Sequence, residues 1–320
     1  MASMEAVLVI SRLAEFAASM VLFGATSFRL YFRTEVAAAC EIQEPFDRWL
    51  RQVLRVAAVI ALVASAAWLD IEAAMMGDGW ADALNAHTVS AVLLQTEFGG
   101  AWTWHLAFGV AALALILSLR RNLQDTAQNV LLIGVSAALV ASTAWAGHAV
   151  MHSGAAGLAA LTAQVTHLLA TSAWLGTLPA LGYVLYRAQD DRQGAWRAAA
   201  QYILPRYSRM GYVAVGLIFF TGCLNSWFMV DGFDALFSTT YGRVLIAKVG
   251  LFVLMVCVAQ VNRFALTPEL MKPKAKTLMT ETAFARLWRN VVIEQLLGLS
   301  IIAAVSVLGT LPPAMSGNAE

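Results

Sequence analysis

Charge is scarce in this chain. Only 13% of its 320 residues are Asp, Glu, Lys or Arg, against 60% hydrophobic. A soluble domain is about a quarter charged and about half apolar, so a soluble globular class is excluded. Cysteine is scarce too. Cys40, Cys223 and Cys257 lie far apart without CxxC spacing, which excludes a disulfide framework and a zinc signature. The net charge is +1 and the basic residues do not cluster, so nucleic acid is not an expected partner. There is no P-loop, no Ser/His/Asp arrangement and no Gly-rich phosphate cradle; neither ATP-driven work nor an enzyme is expected. No basic region precedes the first apolar run, and Arg12 and Glu15 sit inside it, so the N-terminus does not read as a secretory signal. No polar stretch is long enough for a separate soluble domain.

What the chain has is apolar runs of membrane-spanning length. Mean hydropathy is +0.68. Eight runs predict transmembrane helices over about 6–32, 50–76, 101–119, 129–151, 158–186, 211–230, 244–264 and 291–311. The expected fold is all-α: a polytopic membrane protein whose lipid-facing surface partners the bilayer.

The loops between the runs alternate in charge. The first holds Arg33 and Arg48, with Arg29, Arg51 and Arg55 at its edges. The third holds Arg120 and Arg121, the fifth Arg187, Arg192, Arg197, Arg206 and Arg209, and the seventh Arg263, Lys272, Lys274, Lys276, Arg286 and Arg289. The even loops have no Lys or Arg, and only Arg12, Arg243 and Lys248 fall elsewhere. Basic loops stay in the cytoplasm, which places the even loops and both termini outside.

A weak internal duplication accompanies this pattern. Glu15 leads to Gly24 and His167 leads to Gly176, nine positions on in both cases. Thr96-Glu97-Phe98-Gly99 precedes His105, and Thr239-Thr240-Tyr241-Gly242 precedes Lys248, at equal spacing. Two four-helix repeats related by an axis along the membrane normal are expected. Glu15 and His167 would then share a depth and could face each other.

On that topology no histidine is cytoplasmic. His148, Met151 and His152 in Gly147-His148-Ala149-Val150-Met151-His152 are spaced i, i+3, i+4, so one helical face carries all three at an outer helix end. His167 lies about a third of the way down the next run, His105 lies just inside the third, and His87 lies in an outer loop. Ionisable groups inside a membrane usually mark a pathway, a ligand site or an internal pair. His148, His152, His167 and His105, with Met151 and Glu15, are the candidate metal ligands. Glu15 has a competing reading as an ion pair with Arg12. Weaker candidates are Met75, Met76, Met229, Asp70, Glu72 and Cys223, while Glu294 reads as interfacial beside Arg289. Trp68, Trp80, Trp102, Trp104, Trp145 and Trp227 read as an outer interfacial belt. Neutral imidazole and thioether suit Cu(I). The competing chemistry is a bis-histidine haem or a quinone-linked reductase using the same histidines.

Gly147-His148-Ala149, His167 with Trp174-Leu175-Gly176, Thr221-Gly222, Thr239-x-Tyr241-Gly242-Arg243 with Lys248, Asn262-Arg263 and Leu311-Pro312-Pro313 occur in an order and spacing that resembles the CopD/PcoD copper-resistance membrane proteins. The resemblance spans most of the chain and is strongest from about 147 to 313. It implies a single CopD-like membrane domain over 1–320 in the bacterial inner membrane. It also implies a copper permease serving resistance or homeostasis, with periplasm-facing ligands and a periplasmic CopC-like partner. Many relatives are expected to carry histidine in the first helix where this chain has Glu15.

Overall fold

The computed structural model describes residues 2–32, 40–119, 125–146, 154–191, 193–271 and 277–314. Among these the regular structure is helical, and one isolated bridge joins Val230 to Ala314. The helices are α1 (Ala2–Tyr31), α2 (Cys40–Met76), α3 (Ala86–Gln95), α4 (Glu97–Ser118), α5 (Thr126–Ser142), α6 (Gly154–Leu175), α7 (Leu178–Gln189), α8 (Ala195–Met229), α9 (Phe233–Ser238), α10 (Thr240–Val261), α11 (Thr267–Leu270) and α12 (Thr277–Leu308). Eight candidate spans are long and apolar enough to cross a membrane, which agrees with the eight predicted runs.

The predicted boundaries shift most at the basic end. The second helix starts at Cys40 rather than 50, the sixth at Ala195 rather than 211 and the eighth at Thr277 rather than 291. These extensions are amphipathic, so a window that looks for unbroken apolar residues stops short of them. On α8, Trp196, Ala200, Ile203, Leu204 and Tyr207 are buried, while Arg197 and Arg206 fall between them. On α2, Asp47 interrupts the apolar run yet is itself buried. Arg29 of α1 donates to both its carboxylate oxygens, from Nε at 2.6 Å and from the terminal nitrogen at 3.2 Å. The fifth run is two helices, broken at Gly176-Thr177, with Pro179 opening α7. The described part of the fourth closes with a 3-10 turn, Thr143–Ala146, and the rest of that predicted run lies outside the described residues.

The first helix is the hub: α1 packs against α2, α5, α6, α7 and α12. It comes to backbone contact with the end of α6 where Gly24 meets Gly176, just past Leu175, and a Cβ on Gly176 would run into the Met20 carbonyl. Small residues let membrane helices approach to backbone contact. Elsewhere α4 packs on α5 and α2, α8 on α6, and α12 on α10 and α7. The two threonines of the repeated motif cap their helices alike: Thr96 accepts from the Gly99 amide at 2.9 Å and Thr239 from the Gly242 amide at 3.0 Å.

The loop before α3 is organised by Asp82. Its carboxylate accepts from the Asp78 amide at 2.6 Å, the Thr88 hydroxyl at 2.9 Å and the Asn85 amide at 3.3 Å. These donors, the Asp78 amide foremost, hold the carboxyl below the usual carboxylate range. The folded loop therefore binds this proton more weakly than the unfolded chain does. Its contribution to stability is present above the ordinary Asp value and is lost as pH falls through the lowered one. Amide exchange at Asp78, corrected for its intrinsic pH dependence, is expected to accelerate over that acidic window. Asp82→Asn should leave an exchange rate that no longer changes there.

Candidate functional site

Glu15 on α1 and His105 on α4 come together inside the bundle, both with no exposed surface. His105 Nε2 lies 3.4 Å from Glu15 Oε1 and 2.9 Å from Ser65 Oγ on α2. His105 Nδ1 lies 2.9 Å from Ser142 Oγ on α5. Each serine is also bonded at 2.7 Å to a carbonyl of its own helix, Ser65 to Ala61 and Ser142 to Leu139. Both ring nitrogens of His105 are thus occupied. A metal ion reaching either one has to displace a serine.

The walls of this site are aromatic. Trp102 stacks on the His105 ring with centroids 4.3 Å apart, and Trp68 packs on Trp102 at 4.6 Å. Trp102 is itself held by donation from Nε1 to the Ser65 carbonyl at 3.0 Å. Trp68 and Trp102 are 1% and 0% exposed, so these two are not belt residues but site walls. Trp80, Trp104, Trp145 and Trp227 are exposed, as a belt requires. One turn from Glu15, the Arg12 guanidinium sits 4.4 Å over the Trp68 ring and against Gly309 of the turn after α12. Arg12 is not within ion-pair distance of Glu15, and neither Glu15 oxygen has a hydrogen-bond partner. The predicted Arg12–Glu15 pair is replaced by a cation–π contact.

His167 on α6 is separate. It makes no ion-pair contact with Glu15; its partner is Thr221 on α8, with Nδ1 2.9 Å from Oγ1. Thr221 donates its own hydroxyl to the Leu217 carbonyl at 2.6 Å, so its oxygen accepts from the His167 Nδ1–H. Among the described residues Nε2 makes no hydrogen bond. Gly222 lies beside the ring edge, where an added Cβ would meet Cε1 at 3.6 Å. Lys248 on α10 lies within electrostatic reach. Above the ring, Asn225 donates to Gln164 at 2.8 Å across the same α6–α8 seam.

His148, Met151 and His152 lie outside the described residues. Among those described, no three His, Cys, Asp or Glu side chains converge as a metal site would require. His87, expected in a loop, is an exposed residue in the first turn of α3; Met75 and Met76 are exposed, and Cys223 is exposed rather than packed inside. The residues that sequence reasoning missed are Ser65 and Ser142. A serine in an apolar helix bonded to its own backbone gives no sign of what else it touches. Thr221 was flagged by its place in the motif. Glu294, read as interfacial, is 3% exposed and accepts from Asn262 at 2.6 Å.

The model of the family described as Copper resistance protein D-like, N-terminal domain, matches residues 1–158, and that of Copper resistance protein D matches residues 201–308. The chain belongs to the copper resistance protein D family. Three relatives are each 29% identical to it. Over 308 residues it matches the inner membrane protein YebZ of Escherichia coli K12, covering 94% of this chain and 97% of the relative. Over 307 residues it matches copper resistance protein D of Pseudomonas syringae pv. tomato, covering 93% and 94%. Over 245 residues it matches copper transport protein CutJ of Bacillus subtilis 168, covering 74% of this chain and 41% of that longer protein. No solved structure matches. Thr221-Gly222 and Asn262-Arg263, two pairs that carried the family resemblance in the sequence, are those that hold His167 and Glu294.

Proposed function

We propose that this chain is a non-catalytic copper permease of the bacterial inner membrane, with both termini periplasmic. His148, Met151 and His152 gather the ion at the outer face, donated by a periplasmic CopC-like protein, and His167 is the next station inward. Glu15 and His105 form the corresponding polar site in a duplicated first half. The observation that carries the reading is the state of His167. With Nδ1–H anchored on Thr221, the Nε2 lone pair is left free, and a ring fixed through its other nitrogen is how histidine is prepared for a metal. Neutral imidazole beside thioether favours Cu(I).

The test is metal analysis of detergent-purified protein after incubation with Cu(I) and desalting. Wild type is expected to retain stoichiometric copper, and the His148→Ala/His167→Ala variant to lose it. Thr221→Val keeps the ligand but frees its ring, and should weaken copper binding by about 10–100-fold. Equal copper in wild type and the double variant would overturn the proposal, as would iron with a Soret band in place of copper.

A further inference from the structure

A cavity of about 70 Å³ lies where α6, α8, α10 and α12 meet near the basic end of the bundle, room for about two water molecules. Its wall is mostly apolar. Its polar wall includes Tyr207, Gln260, Asn262 and Glu294. Glu294 is a carboxyl group 3% exposed, in the middle of a membrane-spanning helix. Asn262 Nδ2 donates to its Oε1 at 2.6 Å. Asn290 donates in turn to Asn262 Oδ1 at 2.8 Å, which fixes the amide so that its donor side faces the carboxylate. Asn262 sits there because the backbone widens into a π turn, Asn262–Leu266, a local distortion frequent at functional sites. The Gln260 Oε1 atom is buried in the same wall without a partner.

No cation lies within ion-pair distance of Glu294 among the described residues. The other ionisable groups of the wall are Tyr207, Tyr212 and Arg263, and the Arg263 guanidinium is turned over the Tyr212 ring, 5.6 Å from its centroid. On the same helix Arg286 and Arg289 are exposed, as is Glu269 on α11; Lys248 of α10 and Arg12 of α1 do not line the cavity. An uncompensated carboxylate inside a membrane is costly and marks an ion or proton path. The wall has no sulfur or imidazole for Cu(I). The wall holds one anionic group, and the Gln260 oxygen and the hydroxyls beside it are neutral, a weak set for a hard divalent cation. A proton needs only the carboxylate and a short water path.

We propose that Glu294 is a proton-binding site that exchanges, through this cavity, with the side of the membrane where α8 and α12 begin. A proton moving there provides the counter-charge for an ion crossing the bundle. The site needs no copper to be tested. Infrared difference spectra of the purified protein between about pH 5 and pH 9 are expected to contain a protonated-carboxyl band that Glu294→Gln removes and Glu15→Gln leaves. Asn262→Ala, which deletes the hydrogen bond but keeps the carboxyl, should shift the band and its midpoint. A band unchanged in Glu294→Gln overturns the proposal, and if that variant fails to fold, an unchanged band in Asn262→Ala does so. In proteoliposomes with an entrapped pH dye, Cu(I)-driven proton movement should fall at least about tenfold in Glu294→Gln while bound copper is kept, and wild-type proton movement would overturn the coupling. Copper absent from wild type with the carboxyl band intact would sink the copper reading alone.

Discussion

Gly176→Ala is expected to destabilise the bundle severely. Alanine is ordinarily the better residue in or beside a helix, by about 1 kcal/mol over glycine. Here the added methyl would meet the Met20 carbonyl of α1, a backbone atom that cannot turn aside as a side chain can. Relief requires α1 and α6 to separate, and α1 also carries the contacts to α2, α5, α7 and α12. Overpacking in a well-filled core costs about 1–3 kcal/mol, and a hub helix pushed off its neighbours places this substitution at or above the top of that range. Gly24→Ala attacks the same crossing from the other side. Gly216→Ala on α8, where a Cβ meets nothing within 4 Å, is the control and should be neutral or slightly stabilising. Monodispersity and thermal unfolding in detergent separate the three. A Gly176→Ala protein that unfolds at the wild-type temperature would remove the close crossing from the account.

That crossing joins the two glycines nine positions beyond Glu15 and His167, whereas the spacing was read as setting Glu15 opposite His167. It did not point at the right partners. Residue spacing tells which face of one helix a side chain occupies, whereas the pairing of faces is decided by how helices rotate against one another. Glu15 could be placed on α1 but not aimed at α4 rather than α6. Trp68 and Trp102 look like interfacial aromatics because an aromatic near a span end scores the same whether it faces lipid or a partner helix. The eight spans were legible because the cost of unpaired backbone in lipid leaves helices as the solution for long apolar runs. The extensions of α2, α8 and α12 were not, since Asp47, Arg197 and Arg206 break the apolar run while the opposite face stays buried. Glu294 was misread for the same reason. Lying close to Arg289 in sequence, it looked interfacial until α12 proved to start at Thr277 and put it mid-helix.

His105→Ala and Glu15→Gln are expected to differ sharply although they alter one contact. Removing the imidazole takes away the ring stacked on Trp102, the partner of two serines and the one polar group 3.4 Å from Glu15. Glu15 oxygens have no hydrogen bond to fall back on, and Arg12 is committed to Trp68. Leaving a buried polar group without its partner costs about 1–3 kcal/mol, and His105 carries a charge here only when protonated. The cavity left by the ring adds to this. Glu15→Gln keeps shape and volume and only exchanges a carboxyl oxygen for an amide, so it opens no cavity and its cost should stay within about 1–3 kcal/mol. The double variant His105→Ala/Glu15→Gln should then be less destabilised than the sum of the two singles, since the uncompensated carboxylate is gone. A double-mutant cycle read by thermal unfolding at fixed pH measures the difference. Strict additivity would mean that Glu15 and His105 are neighbours without coupling. A coupling of about 0.5–3 kcal/mol would establish them as one unit, held by Ser65 and Ser142, that a passing ion has to open.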